Sequence, residues 1–363
     1  FSDRLQHAIA LARRHEHKIA VMFIDLDGFK KVNDSFGHQV GDHLLKKAAE
    51  IISACIRSED TLARLSGDEF LLIIEEYESE QQLSVVADKI LELLEQPIDL
   101  GQTQVVISCS IGISQFPKDS DDVESLMKYS DTAMYYAKNQ GKGAYYFYQD
   151  EMHSNLIHRL NIEQYLRDAV KNDEFLVLFQ PIVDVQTQSI VSAEALIRWH
   201  NSVLGEVYPS DFIPLAEETG YIIEIGRFVI ETVCKELSGF NNSNITIAVN
   251  VSVRQLMHEG FVSSIRGCLD KYKIVPSQLK IEITESLLMT NASQTSEVIK
   301  QLKEIGLTIS VDDFGTGYSS LSYLKRFYID ELKIDKEFIS DIIDTSTEEK
   351  VVNAIMALAK SLG

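Results

Sequence analysis

Apolar and polar positions along the chain fall into two different rhythms. Through the first 150 residues, short apolar blocks predict strands over residues 19–24, 61–65, 69–74, 104–111 and 144–148. Three-to-four-residue spacing predicts helices over 41–56, 81–94 and 123–139. A Ser66-Gly67 turn joins two of the strands as a hairpin, and the whole reads as an α+β domain. Residues 151–172 are helical in pattern, with Leu156, Leu160 and Ile162 among the apolar positions, and read as a connector. Over 173–363, strands near 175–181, 190–199, 245–251, 279–284, 307–312 and 331–334 alternate with helical stretches. That alternation favours a mostly parallel sheet or a (β/α) barrel. Six strands are two short of a closed barrel, and the helix over 348–362 leads toward a seventh.

Strands buried on both faces usually read as continuous apolar runs, but those of the second half alternate. In ITIAVNVS, Ile245, Ile247, Val249 and Val251 share one face and Asn250 takes the other. LKIEIT sets Glu282 against Leu279, Ile281 and Ile283, and LTISVDD sets Asp312 against Leu307, Ile309 and Val311. ELKID places Lys333 opposite Leu332 and Ile334, and SAEALIRW places Glu194 and Arg198 opposite Ala195 and Ile197. One polar residue at a strand end is commonly a satisfied core group; five in register point to one lumen. Most sit near C-terminal strand ends, where barrel enzymes build their sites. Three carboxylates and an amide converging there repel one another unless they hold cations, and oxygen donors suit Mg²⁺ or Mn²⁺ better than zinc. A lysine in such a ring can orient a nucleophilic water or offset charge in a transition state. The adjacent Asp312 and Asp313 in DDFGTGYSSL strengthen the case for a bound divalent ion.

Composition narrows the partners. At 363 residues two domains are expected, and 45% hydrophobic with 25% charged residues is ordinary for a globular chain. A formal net charge of −21 argues against long nucleic acid but not against a small phosphorylated ligand carried with metals. Cys55, Cys109, Cys234 and Cys268 form no close pair, which fits reduced thiols in a cytoplasmic protein. No stretch reads as a signal peptide or membrane span, although sensor or anchor segments beyond either end are compatible with these residues. The chain has no Gly-x-x-x-x-Gly-Lys loop and no well-placed Gly-x-Gly-x-x-Gly, which argues against P-loop nucleotide hydrolases and nucleotide dehydrogenases.

From about residue 157 onward the chain resembles the EAL domain, the barrel family that hydrolyses the bacterial messenger cyclic di-GMP. The resemblance is carried by Glu194-Ala195-Leu196 with Ile197-Arg198, QPIV at Gln180, NVS at Asn250, EITES at Glu282, the DDFGTG loop and LKID at Lys333. It implies a TIM-like (β/α)8 barrel in which Glu194, Asn250, Glu282 and Asp312 hold one metal and Asp313 a second. It also implies that Lys333 contacts the catalytic water, that Gln180, Leu196 and Arg198 touch the ligand, and that Glu285 holds the DFGTG loop. Two Mg²⁺ or Mn²⁺ ions would yield linear pGpG. The family's closing Glu-Gly-Val-Glu and Gln-Gly-Tyr segments are not in this sequence, which implies a barrel cut short at its C-terminal side.

Residues 1–150 are similar to the GGDEF domain, the cyclase-like palm fold that joins two GTP molecules into cyclic di-GMP. FIDLDGFKKVND, FGHQVGD, SGDEF and KNQGKG carry that likeness. It implies Asp25, Asp68 and Glu69 at Mg²⁺, Asn33 and Asp42 at the guanine, and Lys138 and Lys142 near the triphosphate. Arg57 and Asp60 match the family's RxxD inhibitory site for cyclic di-GMP, a pattern that alone is a surface ion pair. Ser66 replaces the first glycine of the motif. The expectation is a cyclic di-GMP phosphodiesterase, acting as a homodimer, whose GGDEF half is mainly regulatory. A two-way enzyme and a silent cyclic di-GMP receptor are the alternatives; a pure receptor would typically lose metal ligands, and those within the chain are present.

Overall fold

A computed structural model of the chain describes residues 1–101, 103–240, 245–289, 292–315, 327–340 and 346–362. It divides into two units, at residue 158/159. The first contains α1 (Ser2–His15), β1 (Ile19–Leu26), α2 (Phe29–Phe36), α3 (His38–Ser53), β2 (Thr61–Ser66), β3 (Glu69–Ile74), α4 (Glu80–Leu94), β4 (Ile98–Asp99), β5 (Gln104–Val105), β6 (Cys109–Phe116), α5 (Val123–Asn139) and β7 (Tyr145–Phe147). Its sheet runs β2-β3-β1-β6-β7, antiparallel except for β6 and β7.

β1 is buried along its whole length because helices cover both of its faces. Ala20, Met22 and Ile24 pack with Leu44, Ala48, Leu83 and Ile90 of α3 and α4. Val21 and Phe23 pack with Leu5, Ile9, Leu126 and Met134 of α1 and α5. The strand expected over 104–111 is instead two pieces. Residues 104–105 pair with β4 as a small ribbon, Val106 is 63% exposed, and the sheet strand is Cys109–Phe116. Its small residues disguise it in the sequence, and close packing of α5 explains them. A Cβ on Gly112 would lie 2.0 Å from Met134 N and Ser130 O, and Ser114 Oγ donates to Leu126 O at 2.7 Å. Helices α1 and α2 were not anticipated.

Helix α6 (Asp150–Ala169) connects the units: Met152 lies in a core cluster with Ala133 and Tyr148, whereas Ile162, Leu166 and Ala169 lie in one with Phe175 and Trp199. Then follow β8 (Phe175–Val183), β9 (Ile190–Asn201), β10 (Gly205–Val207), α7 (Pro209–Thr219), α8 (Ile222–Gly239), β11 (Thr246–Asn250), α9 (Val253–Leu256), α10 (Phe261–Tyr272), β12 (Leu279–Thr284), α11 (Glu285–Met289), α12 (Ala292–Ile305), β13 (Thr308–Phe314) and β14 (Glu331–Ile334). Helices Lys336–Ser340 and Ser346–Leu362 come last.

β9, β11, β12, β13 and β14 form a parallel sheet, while β8 and β10 run antiparallel to β9. Antiparallel β8 is the exception that a mostly parallel sheet allows, and the link explains it. Residues 184–189 are too few for a crossover, and the Asp184 carboxylate closes them by accepting from Gln186 N and Thr187 N at 3.1 and 2.7 Å. One sheet face, with Ile247, Val249, Ile281, Ile283, Ile309 and Val311, packs into a core with Val233, Ile265 and Ile299 of the covering helices. The polar row is left to the other face. No helix among the described residues is long and apolar enough to cross a membrane.

Candidate active site

Five strands deliver the polar row to one point. Lys333 Nζ on β14 lies 2.8 Å from Glu282 Oε2 of β12, 2.9 Å from Asp312 Oδ2 of β13 and 3.3 Å from Glu194 Oε2 of β9. Oxygens of the three carboxylates all lie within 4.8 Å of one another. Asn250, at the end of β11, donates from Nδ2 to Glu194 Oε1 at 2.7 Å. Glu282 is 0% exposed, and its Oε1 has no hydrogen-bond partner among the described residues. Burial pushes the Glu282 carboxyl above the ordinary glutamate value against the pull of Lys333, and the charges of Glu194 and Asp312 push the same way. Burial works to lower Lys333, but its bonds to Glu282 and Asp312 override that and hold the ammonium above free lysine. One ammonium offsets only one of three carboxylate charges. The excess negative charge and the all-oxygen donor set fit a hard divalent cation.

Beside this cluster, Asp313 adopts a left-handed φ of 53° and donates its amide to Asp312 Oδ1 at 3.0 Å. Burial raises the Asp313 carboxyl above the ordinary aspartate value, and the neighbouring Asp312 and Asp335 carboxyls push it the same way. Neighbouring carboxyls of this kind favour a shared proton or a bound cation. Asp335 was missed in the sequence, where its signal was the alternation that sets it on the same side as Lys333 in LKID. Glu285 opens α11, is 2% exposed, and accepts from Gly315 N at 2.8 Å. It thereby holds the start of the DFGTG loop, where Gly315 has a φ of 108° that favours glycine. The rest of that loop, from residue 316, lies outside the described residues.

Gln180 is exposed on β8, directly across from Glu194 in register. Leu196 and Arg198 follow Glu194 on the same side of β9. They line a cavity of about 320 Å³ whose wall also includes Asn250, Glu282, Glu217 and Ser252. Burial raises the Glu217 carboxyl, with Glu218 adding to it.

The first unit has its own acidic end. Asp25, 5% exposed at the end of β1, pairs in register with Glu69, and Leu26 N donates to Asp68 O at 3.3 Å. Lys138 Nζ lies 2.7 Å from Asp25 Oδ2; burial raises the Asp25 carboxyl and Lys138 opposes it. Of turn residues 66–69 only Gly67 takes a left-handed φ, of 48°. Ser66 therefore fits without strain, and its Oγ donates to Glu69 Oε2 at 2.8 Å. Asn33 packs over Gly41, where a Cβ would fall 1.9 Å from Asn33 Oδ1, and that oxygen is buried without a partner among the described residues. Asp42 lines a separate cavity of about 560 Å³ with Lys46, Arg64 and Phe70. Lys142 is exposed with a φ of 67°.

Sequence reasoning overlooked Asp27, which anchors the KNQGKG loop. It accepts from Gly143 N at 3.1 Å and from Ser108 Oγ and Ser110 Oγ at 2.9 Å each. Asp60 accepts from Arg57 N at 2.9 Å and Glu75 N at 3.2 Å, so both of its oxygens engage the main chain, while Arg57 is exposed.

Fold and site define a class: a barrel-type α/β domain with an oxygen-rich acidic cluster at its strand ends, preceded by an α+β domain with a second acidic cluster. The chain belongs to the EAL family, whose domain model matches residues 163–363, and the diguanylate cyclase GGDEF domain model matches residues 1–144 in tandem before it. It is 41% identical to the bifunctional diguanylate cyclase/cyclic di-GMP phosphodiesterase MucR of Pseudomonas aeruginosa over 99% of this chain and 53% of that one. It is 37% identical to the cyclic di-GMP phosphodiesterase PdeR of Escherichia coli, over 99% and 54%. The chain thus spans about half the length of the curated relatives it matches. The solved PaMucR phosphodiesterase–c-di-GMP complex is 38% identical, with a TM-score of 0.54 over 56% of this chain and 83% of that one.

Proposed function

We propose that the second unit hydrolyses cyclic di-GMP to linear pGpG with two divalent cations, Mg²⁺ or Mn²⁺. The observation that carries this reading is the meeting of Glu194, Asn250, Glu282, Asp312 and Lys333 at one point. Glu194, Glu282, Asp312 and the Asn250 amide oxygen would hold one cation; Asp313 and Asp335 would serve the other. When bound, the cations supply Lewis acidity, making a nucleophilic water available near neutral pH and offsetting charge at the leaving 3′ oxygen. Lys333 orients that water, Gln180, Leu196 and Arg198 seat the nucleotide, and Glu285 holds the loop at Gly315. The first unit binds GTP–Mg²⁺ through Asp25, Asn33, Asp42, Asp68, Glu69, Lys138 and Lys142, and chiefly regulates hydrolysis. Arg57 offers a second place for cyclic di-GMP, and the protein works as a homodimer in the cytoplasm.

The test is chromatography of nucleotides after incubating the protein with cyclic di-GMP and Mn²⁺. Wild type should yield pGpG, and Glu194→Ala should lose more than about 100-fold in rate, since a ligand of the cation is removed. Equal rates in the two proteins would overturn the assignment. A second reading, a two-way enzyme, is favoured by the unstrained backbone at Ser66.

A further inference from the structure

Beneath the cluster, two polar atoms are sealed from solvent without a hydrogen-bond partner among the described residues: Glu282 Oε1 and Ser310 Oγ. Both residues are 0% exposed, and they stand side by side in register on β12 and β13. Strand alternation puts Ser310 on the same face as Asp312, one layer deeper. Charge closes the far side of this layer. Lys280, 6% exposed on β12, bridges at 2.5 Å to Glu331 of β14, and Glu331 is the register neighbour of Ser310. Farther along, Thr246 Oγ1 donates to Ser192 Oγ at 2.9 Å and Ser192 Oγ to Thr246 O at 3.0 Å. These neighbours are all paired, whereas the Glu282 and Ser310 atoms are not. Buried polar atoms are rarely left so, and internal water commonly satisfies them where two or more polar groups converge.

We propose that a water molecule is bound between Glu282 and Ser310, donating to Glu282 Oε1 and sharing a hydrogen bond with Ser310 Oγ. Ser310 is thereby a positioning residue. Through the water it fixes the carboxylate rotation that turns Glu282 Oε2 toward Lys333 and Asp312. A serine suits the place because its side chain is small and carries a hydroxyl that can bond the water. The functional consequence rests on the cation-site reading above: a ligand oriented from behind binds its cation more tightly, and outer partners of this kind are worth about 10- to 100-fold in affinity.

Two measurements on the protein test the proposal. In a crystal structure resolving internal solvent, wild type should show a water within hydrogen-bond distance of both atoms, and Ser310→Val should lack it. In Mn²⁺ calorimetry, Ser310→Ala should bind about 10-fold more weakly than wild type at an unchanged melting temperature, and Ser310→Thr should restore binding. A map that orders other internal waters but shows none here overturns the proposal, as does Ser310→Ala binding Mn²⁺ as tightly as wild type. Absence of Mn²⁺ binding by wild type itself would sink the cation-site reading instead, and the map would still decide the water.

Discussion

Glu282 and Lys333 meet at 2.8 Å across the width of β13, a fully buried carboxylate against a partly buried ammonium. The lysine holds together charges that would otherwise repel, so it competes with a cation for the same oxygens. Lys333→Met removes that competitor as well as the group that orients water. In Mn²⁺ its turnover of cyclic di-GMP should fall about 100-fold or more while Mn²⁺ affinity holds or tightens. Calorimetry beside a pGpG assay separates the two effects. Affinity and turnover falling together would mean that Lys333 is chiefly structural.

The electrostatic coupling of Asp313 to Asp335 leads to a count of ions. Asp335→Asn leaves Glu194, Asn250, Glu282 and Asp312 intact but removes half of the adjacent pair. Without GTP, Mn²⁺ stoichiometry at the second unit should drop from two to one, with turnover down by about 100-fold. Two ions retained at wild-type affinity would separate Asp335 from the cation site.

Arg57 and Asp60 are predicted to part company. Arg57→Ala should remove cyclic di-GMP binding outside the barrel without shifting the melting temperature, because the side chain is exposed. Asp60 instead ties the turn to Glu75. Its carboxyl is raised above 3.8, first by burial, so its contribution to stability is present below 3.8 and lost as pH rises through the folded value. Asp60→Asn cannot ionise and should lack that decline when thermal unfolding is followed upward from about pH 4. Matching pH profiles for the two proteins would refute this, and unchanged nucleotide binding in Arg57→Ala would leave Arg57 an ordinary surface residue.

Legibility in the sequence followed burial pattern. The polar row could be read because Glu194, Asn250, Glu282, Asp312 and Lys333 each interrupt an apolar alternation, and a two-residue period has one physical meaning in a half-buried strand. Gly112 and Ser114 break the same rule for the opposite reason. α5 lies so close that only small side chains fit, and β6 therefore resembles a loop in composition. The direction of β8 depended on what residues 184–189 can span. Asp27 escaped notice because its three partners come from distant parts of the chain.

Ser66 carries the last prediction. Glycine at this position would serve a left-handed backbone, but here Gly67 alone takes that conformation, so serine costs no backbone strain. The effect of the hydroxyl is chemical: Ser66 Oγ donates to Glu69 Oε2 at 2.8 Å and occupies a lone pair of an expected Mg²⁺ ligand. Lys138 likewise occupies Asp25. GTP binding, which draws on Asn33, Asp42 and Lys142 as well, should therefore survive better than synthesis. Ser66→Gly frees Glu69 and should raise cyclic di-GMP synthesis from GTP by about 10-fold, the scale expected for a hydrogen-bonded neighbour of a metal ligand, while leaving hydrolysis nearly unchanged. The measurement is steady-state synthesis with the barrel silenced by Glu194→Ala so that product accumulates. Rapid synthesis already present with Ser66, and no gain from glycine, would show that the hydroxyl is harmless and that the protein works in both directions.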